Sequence, residues 1–234
     1  MAFSDKDLKL DEWADEDIFD IVAKLEKAFS LKFDKNAFYN VKTFGDLCNV
    51  FEHHITGDHI DDCTTQQAFY RVRKAIRVTQ NVDDDKIRPG TLLSELFPEH
   101  NRRMNVKEFK SRMGIKIDVM TYTDWIGWTL TIGLLMSLLS FFWSGIIGLT
   151  SLALVLFAFH IAHKLGTKLS LQTVGELVKK ISREHYTEVR RKKNTINRKE
   201  VSNIIIDAFS NDLLIDKADL TRESKFSWAI EKAK

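Results

Sequence analysis

The sequence predicts an all-α chain in which helical bundles flank a two-span transmembrane helical hairpin. Three observations predict it. A long central block carries no acid and no strong base. Outside that block, apolar residues recur at spacings of three and four, the period of one helix face. The 234 residues include two prolines only, so little interrupts helices. With 44% hydrophobic and 29% charged residues, the composition excludes disordered, collagen-like and disulfide-stapled chains. Two cysteines, Cys48 and Cys63, give no disulfide framework and point to a reducing compartment.

The first helix is marked by Ile18, Ile21, Val22, Leu25 and Phe29, starting near Ala14. Asp15, Glu16 and Asp17 suit its first turn, where the helix dipole favours negative charge. A polar break at Phe33–Asn36 follows. Thr43-Phe44-Gly45-Asp46-Leu47-Cys48 then reads as a helix start, with Thr43 as cap and Asp46 at capping-box spacing. Cys48, His53, His54, Asp58, His59, Asp61 and Cys63 crowd the next stretch. These are zinc-ligand types, but no paired ligand spacing appears and no metal site is assigned. Ala68–Ile76 reads as an amphipathic helix that ends in the acidic turn Asp83–Asp85, and Asn101–Met113 as a further helix.

From Trp125 to Ala162 there is no Asp, Glu, Lys or Arg. The block divides at Trp143-Ser144-Gly145 into Trp125–Trp143 and Gly145–His163. Each stretch is about 28 Å long as a helix at about 1.5 Å per residue, close to a hydrocarbon core of about 30 Å. Trp125, Trp128 and Trp143 fall where interfacial aromatics belong. On one flank stand Arg102, Arg103, Lys107, Lys110, Arg112 and Lys116. The other carries Lys179, Lys180, Arg183, Arg190, Arg191, Lys192, Lys193, Arg198 and Lys199, opposed by Glu184 and Glu188 alone. The positive-inside rule places both flanks, and so both termini, in the cytoplasm. The acidic start does not read as a signal peptide. The expected location is the inner membrane.

After the block, Thr173-Val174-Gly175-Glu176-Leu177-Val178 echoes the Thr43 motif. A second echo links Ala68–Ile76, with Ile87, Thr91 and Leu92 after it, to Glu200–Ile206, with Leu214, Leu220, Thr221 and Phe226 after it. The Asp216–Asp219 turn matches Asp83–Asp85.

These pieces resemble the acyl carrier protein family, a four-helix bundle. Glu200–Phe226 is similar to its first helix and following loop. Residues 14–55 resemble its second to last helices, and Lys42–Leu47 the start of the last one. In the middle of the chain, Gln66–Val78, Asn101–Met113 and Gln172–Ser182 resemble the first, second and last helices of another copy, with the hairpin inserted. The resemblance divides the chain into five parts. Residues 1–62 hold the second to last helices of one unit, and 63–119 the first half of another. Residues 120–164 form the hairpin, and 165–190 hold the last helix of the second unit. Residues 191–234 are a basic linker and a first-helix-like segment. Neither terminal fragment buries its apolar face alone, so 198–226 are expected to dock on 14–55.

The family carries a thioester on a phosphopantetheine arm, attached to the serine of an Asp-Ser-Leu motif. Here the matching positions read Ala14-Asp15-Glu16 in one unit and Glu99-His100-Asn101 in the other, and neither holds a serine. The expected function is therefore a membrane-anchored, non-enzymatic binding or scaffold module. It recruits a cytoplasmic protein partner or self-associates. Asp15, Glu16 and Asp20 on one helix, and Arg102 and Arg103 on another, are the expected partner contacts. Trp125, Trp128, Trp143, Lys179 and Lys180 are expected at the lipid interface. No catalytic, cofactor-binding or metal residue is assigned. The basic run at 179–199 lies beside a span, so it is read as meeting anionic lipid heads rather than nucleic acid. Two alternatives stand. One is a working carrier whose arm sits on Ser4, Ser94, Ser224 or Ser227. The other is an immunity or inhibitor protein at the membrane.

Overall fold

The computed structural model describes residues 9–10, 15–34 and 36–226. It is mostly helical. In chain order the helices are α1 (Asp15–Phe29), α2 (Phe44–His54), α3 (Thr64–Gln80), α4 (Leu93–Leu96) and α5 (Arg102–Met113). They continue with α6 (Asp124–Ser140), α7 (Gly145–Leu165), α8 (Val174–Glu184), α9 (Tyr186–Val189) and α10 (Arg198–Leu213). Six two-residue strands pair as β1 (Lys9–Leu10) with β6 (Lys225–Phe226), and β2 (Asp58–His59) with β5 (Thr195–Ile196), both parallel. The pair β3 (Met120–Thr121) and β4 (Lys168–Leu169) is antiparallel. The chain folds as two compact units, one from Met1–Arg71 with Val178–Lys234, the other from Val72–Leu177.

The first unit joins the N- and C-terminal parts of the sequence in one core. Ile18, Ile21, Leu25 and Phe29 of α1 meet Phe44, Leu47 and Phe51 of α2 and Val201, Ile205 and Phe209 of α10. The Phe44 and Phe209 rings stand edge to face at 5.1 Å, a geometry that adds to the area they bury. The α2 start is fixed twice. Thr43 and Asp46 form a reciprocal capping box, which satisfies backbone donors that the helix leaves orphaned. The amides of Phe44 and Gly45 donate to the carbonyls of Ser224 and Arg222, each at 2.8 Å. A Cβ on Gly45 would stand 2.8 Å from the Arg222 oxygen, so only glycine allows this approach.

The second unit repeats that arrangement. The amides of Val174 and Gly175 donate to the carbonyls of Thr91 (3.0 Å) and Pro89 (2.7 Å). The Glu176 amide donates to the Thr173 hydroxyl, and a Cβ on Gly175 would lie 3.0 Å from the Pro89 oxygen. Even the preceding turns match. The Arg88 amide donates to the Thr91 hydroxyl as the Thr221 amide donates to that of Ser224. α3 and α10 are each followed by a left-handed residue, Asn81 (φ 51°) and Leu214 (φ 57°). Val72, Ile76, Phe97, Val106, Phe109 and Leu177 are buried in this unit, and the Phe97 and Phe109 rings stack edge to face at 5.6 Å.

Between α5 and α8 the second unit carries α6 and α7, packed against each other. The division falls earlier than the sequence pattern suggests. α6 stops at Ser140, and Phe141–Ser144 form the turn. The amides of Phe141, Phe142 and Trp143 donate to carbonyls three residues back, at Leu138, Leu139 and Ser140, over 3.1–3.3 Å. The Phe141 ring fills the space over Gly148, where a Cβ would come within 2.5 Å of it. Aromatic bulk, invisible to a count of charges, ends the helix.

Candidate functional site

The hairpin presents an apolar surface that no part of its unit covers. Phe142 is 91% and Trp143 92% exposed at the turn, and Leu149, Leu154 and Phe157 are exposed along α7. A patch of this extent is exceptional on a protein surface facing water. Among the described residues α7, at 21 residues, is long and apolar enough to cross a membrane. α6 is equally free of internal charge but has 17 residues.

The hydroxyls within α6 and α7 are satisfied from within. Thr129, Thr131 and Thr150 donate to carbonyls four residues earlier, as Ser137 and Ser151 do three residues earlier. Ser140 and Ser151 also bond each other across the two helices at 3.0 Å. Groups bonded in this way leave little polarity for the surroundings to solvate.

At the open end of the hairpin the apolar surface gives way to charge. The Arg102 guanidinium donates to the carbonyls of Phe97 (2.8 Å) and Thr167 (3.0 Å). That of Arg103 donates to Lys164 (3.1 Å), in the last turn of α7, where carbonyls lack partners within the helix. Lys168 bridges to Asp124 at 2.6 Å and joins the far end of α7 to the first residue of α6. Gly166 passes so close to Thr121 that a Cβ would meet its carbonyl at 2.4 Å. Trp125 and Trp128 lie at this end, both exposed, and Trp143 at the opposite end. Between the helices near the base runs a groove of about 570 Å³, lined by Trp125, Thr129, Leu154, Phe157, Ile161 and Leu165.

These contacts correct the expectation for Arg102. It is 7% exposed, with its guanidinium turned onto backbone carbonyls inside its unit, and does not present itself to a partner. Arg103 keeps an exposed side. On α1, Glu16 and Asp20 are exposed and flank Phe19, itself 52% exposed. The Asp15 side chain lies outside the described residues. Glu99 is exposed in a short 3-10 turn before α5. Lys179 is exposed and Lys180 half-buried on α8. Of the serines considered for an arm, Ser224 is fully buried and its hydroxyl accepts from Thr221. Ser94 is exposed on α4, while Ser4 and Ser227 lie outside the described residues.

The Cys–His–Asp stretch disperses. Cys48 is buried in the first unit's core, and burial pushes its thiol up to about 12. His53 and His54 donate through Nδ1 to carbonyls of their own helix. Asp61 bonds Lys199, which holds its carboxyl below the ordinary value. Among the described residues no group of three or more His, Cys, Asp or Glu is placed to hold a metal.

Sequence reasoning missed one feature, the polar centre around Arg190. Its guanidinium is buried and bonds Asp62, Thr64, Tyr186 and Thr195. Glu200 accepts from the Thr64 amide at the start of α3. The Tyr186-to-Arg190 spacing of one helical turn was the available signal. It sits inside a basic run that otherwise reads as a solvated face. The arrangement fastens the 186–200 segment to residues 58–67, and four of the five N–H donors of Arg190 have acceptors.

No protein-family model matches this chain, and no curated protein or solved structure matches it.

Proposed function

We propose that the chain is a membrane-anchored, non-enzymatic scaffold of acyl-carrier-like bundles that brings a cytoplasmic protein to the membrane. In this reading α6 and α7 cross the bilayer as a two-span hairpin, with both termini in the cytoplasm. The observation that carries it is the bare apolar hairpin, tipped by Trp143 and ringed at its base by Trp125, Trp128 and bonded cations. Water is a poor solvent for such a surface, and lipid a good one. α6 reaches about 26 Å at about 1.5 Å per residue, short of about 30 Å of hydrocarbon. The aromatic turn and modest local thinning close that gap.

The acidic face of α1, with Phe19 among Glu16 and Asp20, is the docking surface for a basic partner. Arm chemistry finds no support in the two matching segments, since neither Ala14-Asp15-Glu16 nor Glu99-His100-Asn101 offers the hydroxyl that a phosphodiester needs.

The test combines two measurements. Membranes containing the full chain are washed with alkaline carbonate, and the chain should stay in the pellet. The purified chain, co-expressed with a phosphopantetheinyl transferase, is then weighed intact. An unmodified mass supports the scaffold reading. A covalent phosphopantetheine adduct overturns it in favour of a working carrier, with Ser94 the first residue to examine.

A further inference from the structure

The hairpin base carries a second feature, which rests on the membrane reading and deepens it. We infer that α5 is a contact helix for anionic phospholipid headgroups, through the stripe Arg103, Lys107 and Lys110. The argument begins with spacing. Positions four and seven residues after Arg103 fall on the same helix face. That face is oriented by Arg103 itself, whose guanidinium reaches the Lys164 carbonyl at the end of α7.

The other end of α5 is held to the same place. Lys110 bridges to Asp118 at 3.7 Å. The adjacent Val119 accepts from the Ser170 amide at 3.0 Å, and Met120 pairs with Leu169 in the β3–β4 ribbon. α5 is therefore tied to the hairpin base at both ends and lies along it. The adjoining face of α5 buries Val106, Phe109 and Met113, and Arg103 and Lys107 stay exposed beside it, with Lys110 half-buried.

Charge selects the partner. α5 holds five cationic side chains and one acid, Glu108, which lies off the stripe. The nearby acids Asp118 and Asp124 are bridged to Lys110 and Lys168. Exposed Lys107 and Lys164 and the exposed side of Arg103 add positive charge beside the hairpin base. Met104, 64% exposed beside the stripe, suits the acyl boundary. An anionic surface attracts basic groups within about a Debye length of it, and aliphatic stems snorkel readily at that depth.

The experiment uses the full chain in lipid nanodiscs, with an environment-sensitive fluorophore on Ser111→Cys in a Cys63→Ser background. Cys48 is buried and stays unlabelled. A headgroup-spin-labelled lipid reports contact through quenching. In equal parts phosphatidylcholine and phosphatidylglycerol, quenching should exceed that in phosphatidylcholine alone, and added salt should reduce the difference. Lys107→Gln/Lys110→Gln should abolish the composition dependence, and Lys107→Arg/Lys110→Arg should restore it. Arg103 stays untouched because it holds α7. Equal quenching in both lipids, or a composition dependence that survives the glutamine pair, overturns the inference. Carbonate washing of the same variants separates the two readings. A chain that washes out of the membrane overturns both, whereas one retained without composition dependence overturns the α5 contact alone.

Discussion

The first unit starts α2, and the second α8, in the same way, but the two joints are wired in opposite ways. In the first, the bonds run from Phe44 and Gly45 to Ser224 and Arg222, so they join the two ends of the sequence. In the second, they run from Val174 and Gly175 to Thr91 and Pro89, across the inserted α6 and α7. Threonine cap, acid three residues on, and glycine between them recur in both. The difference teaches that this joint is specified locally. It tolerates a chain that is split between termini or interrupted by an apolar hairpin. Loop-closure entropy grows only with the logarithm of loop length, so long connections do not forbid it.

The comparison breaks most readily at the core. Phe209 is fully buried and meets Phe44. Phe209→Ala should cost the first unit about 3–5 kcal/mol, a large share of a typical domain's stability. Hydrogen exchange would show α1 and α2 losing protection while Val106–Phe109 of the second unit keep theirs. Loss in both units alike would mean that they fold as one, and the comparison would fail.

The glycines sharpen it. Helix propensity alone makes Gly→Ala favourable by about 1 kcal/mol. The close carbonyls reverse that sign. Gly45→Ala should destabilise its unit by about 1–3 kcal/mol, and Gly175→Ala by less, because its Cβ would have slightly more room (3.0 against 2.8 Å). Urea midpoints read from the exchange of each unit's own peptides would decide it. A stabilised Gly45→Ala protein would show that the close approach carries no cost.

Much of this was legible in the sequence, and the gaps have physical causes. The helical pattern, the uncharged hairpin block and the paired Thr43 and Thr173 motifs are written in side chains. Their binding partners are not, because Arg222 and Pro89 contribute carbonyls that every residue owns. The two receiving segments read Arg-Glu-Ser-Lys-Phe and Pro-Gly-Thr-Leu-Leu. They share little beyond a hydroxyl, on Ser224 and Thr91, that accepts from the amide three residues earlier. The end of α6 was misplaced because Phe141–Trp143 are as apolar as the helix before them. In sequence Arg102 and Arg190 read as surface charge, and both are buried. A guanidinium with enough carbonyl and hydroxyl partners can be buried, and its sequence neighbours do not reveal those partners.

Smaller effects belong to the caps. Thr43→Ala and Thr173→Ala should each cost about 1 kcal/mol, the usual value of an N-cap, each confined to its own unit. Substituting Ser at either position should recover most of the loss in the same urea series. A loss that serine does not recover would point to packing of the threonine methyl instead of capping.

The smallest effect is a pH dependence tied to Asp46. Burial raises its carboxyl, but hydrogen bonds from the Lys42 and Thr43 amides and the Thr43 hydroxyl outweigh this, and the nearby Lys42 charge helps. The net direction is downward from the ordinary value of 3.8. The sign follows from linkage. A folded-state pKa below the unfolded one means that the unfolded chain binds more protons in acid. The stabilisation is present above about pH 4, the unfolded carboxyl's range, and is lost as pH falls through the lower folded value. Asp46→Asn should be slightly less stable at neutral pH. Its urea midpoint, followed on α2 peptides, should fall less steeply on acidification than that of the unsubstituted chain. Parallel curves for the two proteins would show that the Asp46 half of the capping box contributes nothing through its charge. The box would then act through hydrogen-bond geometry, which an asparagine can imitate.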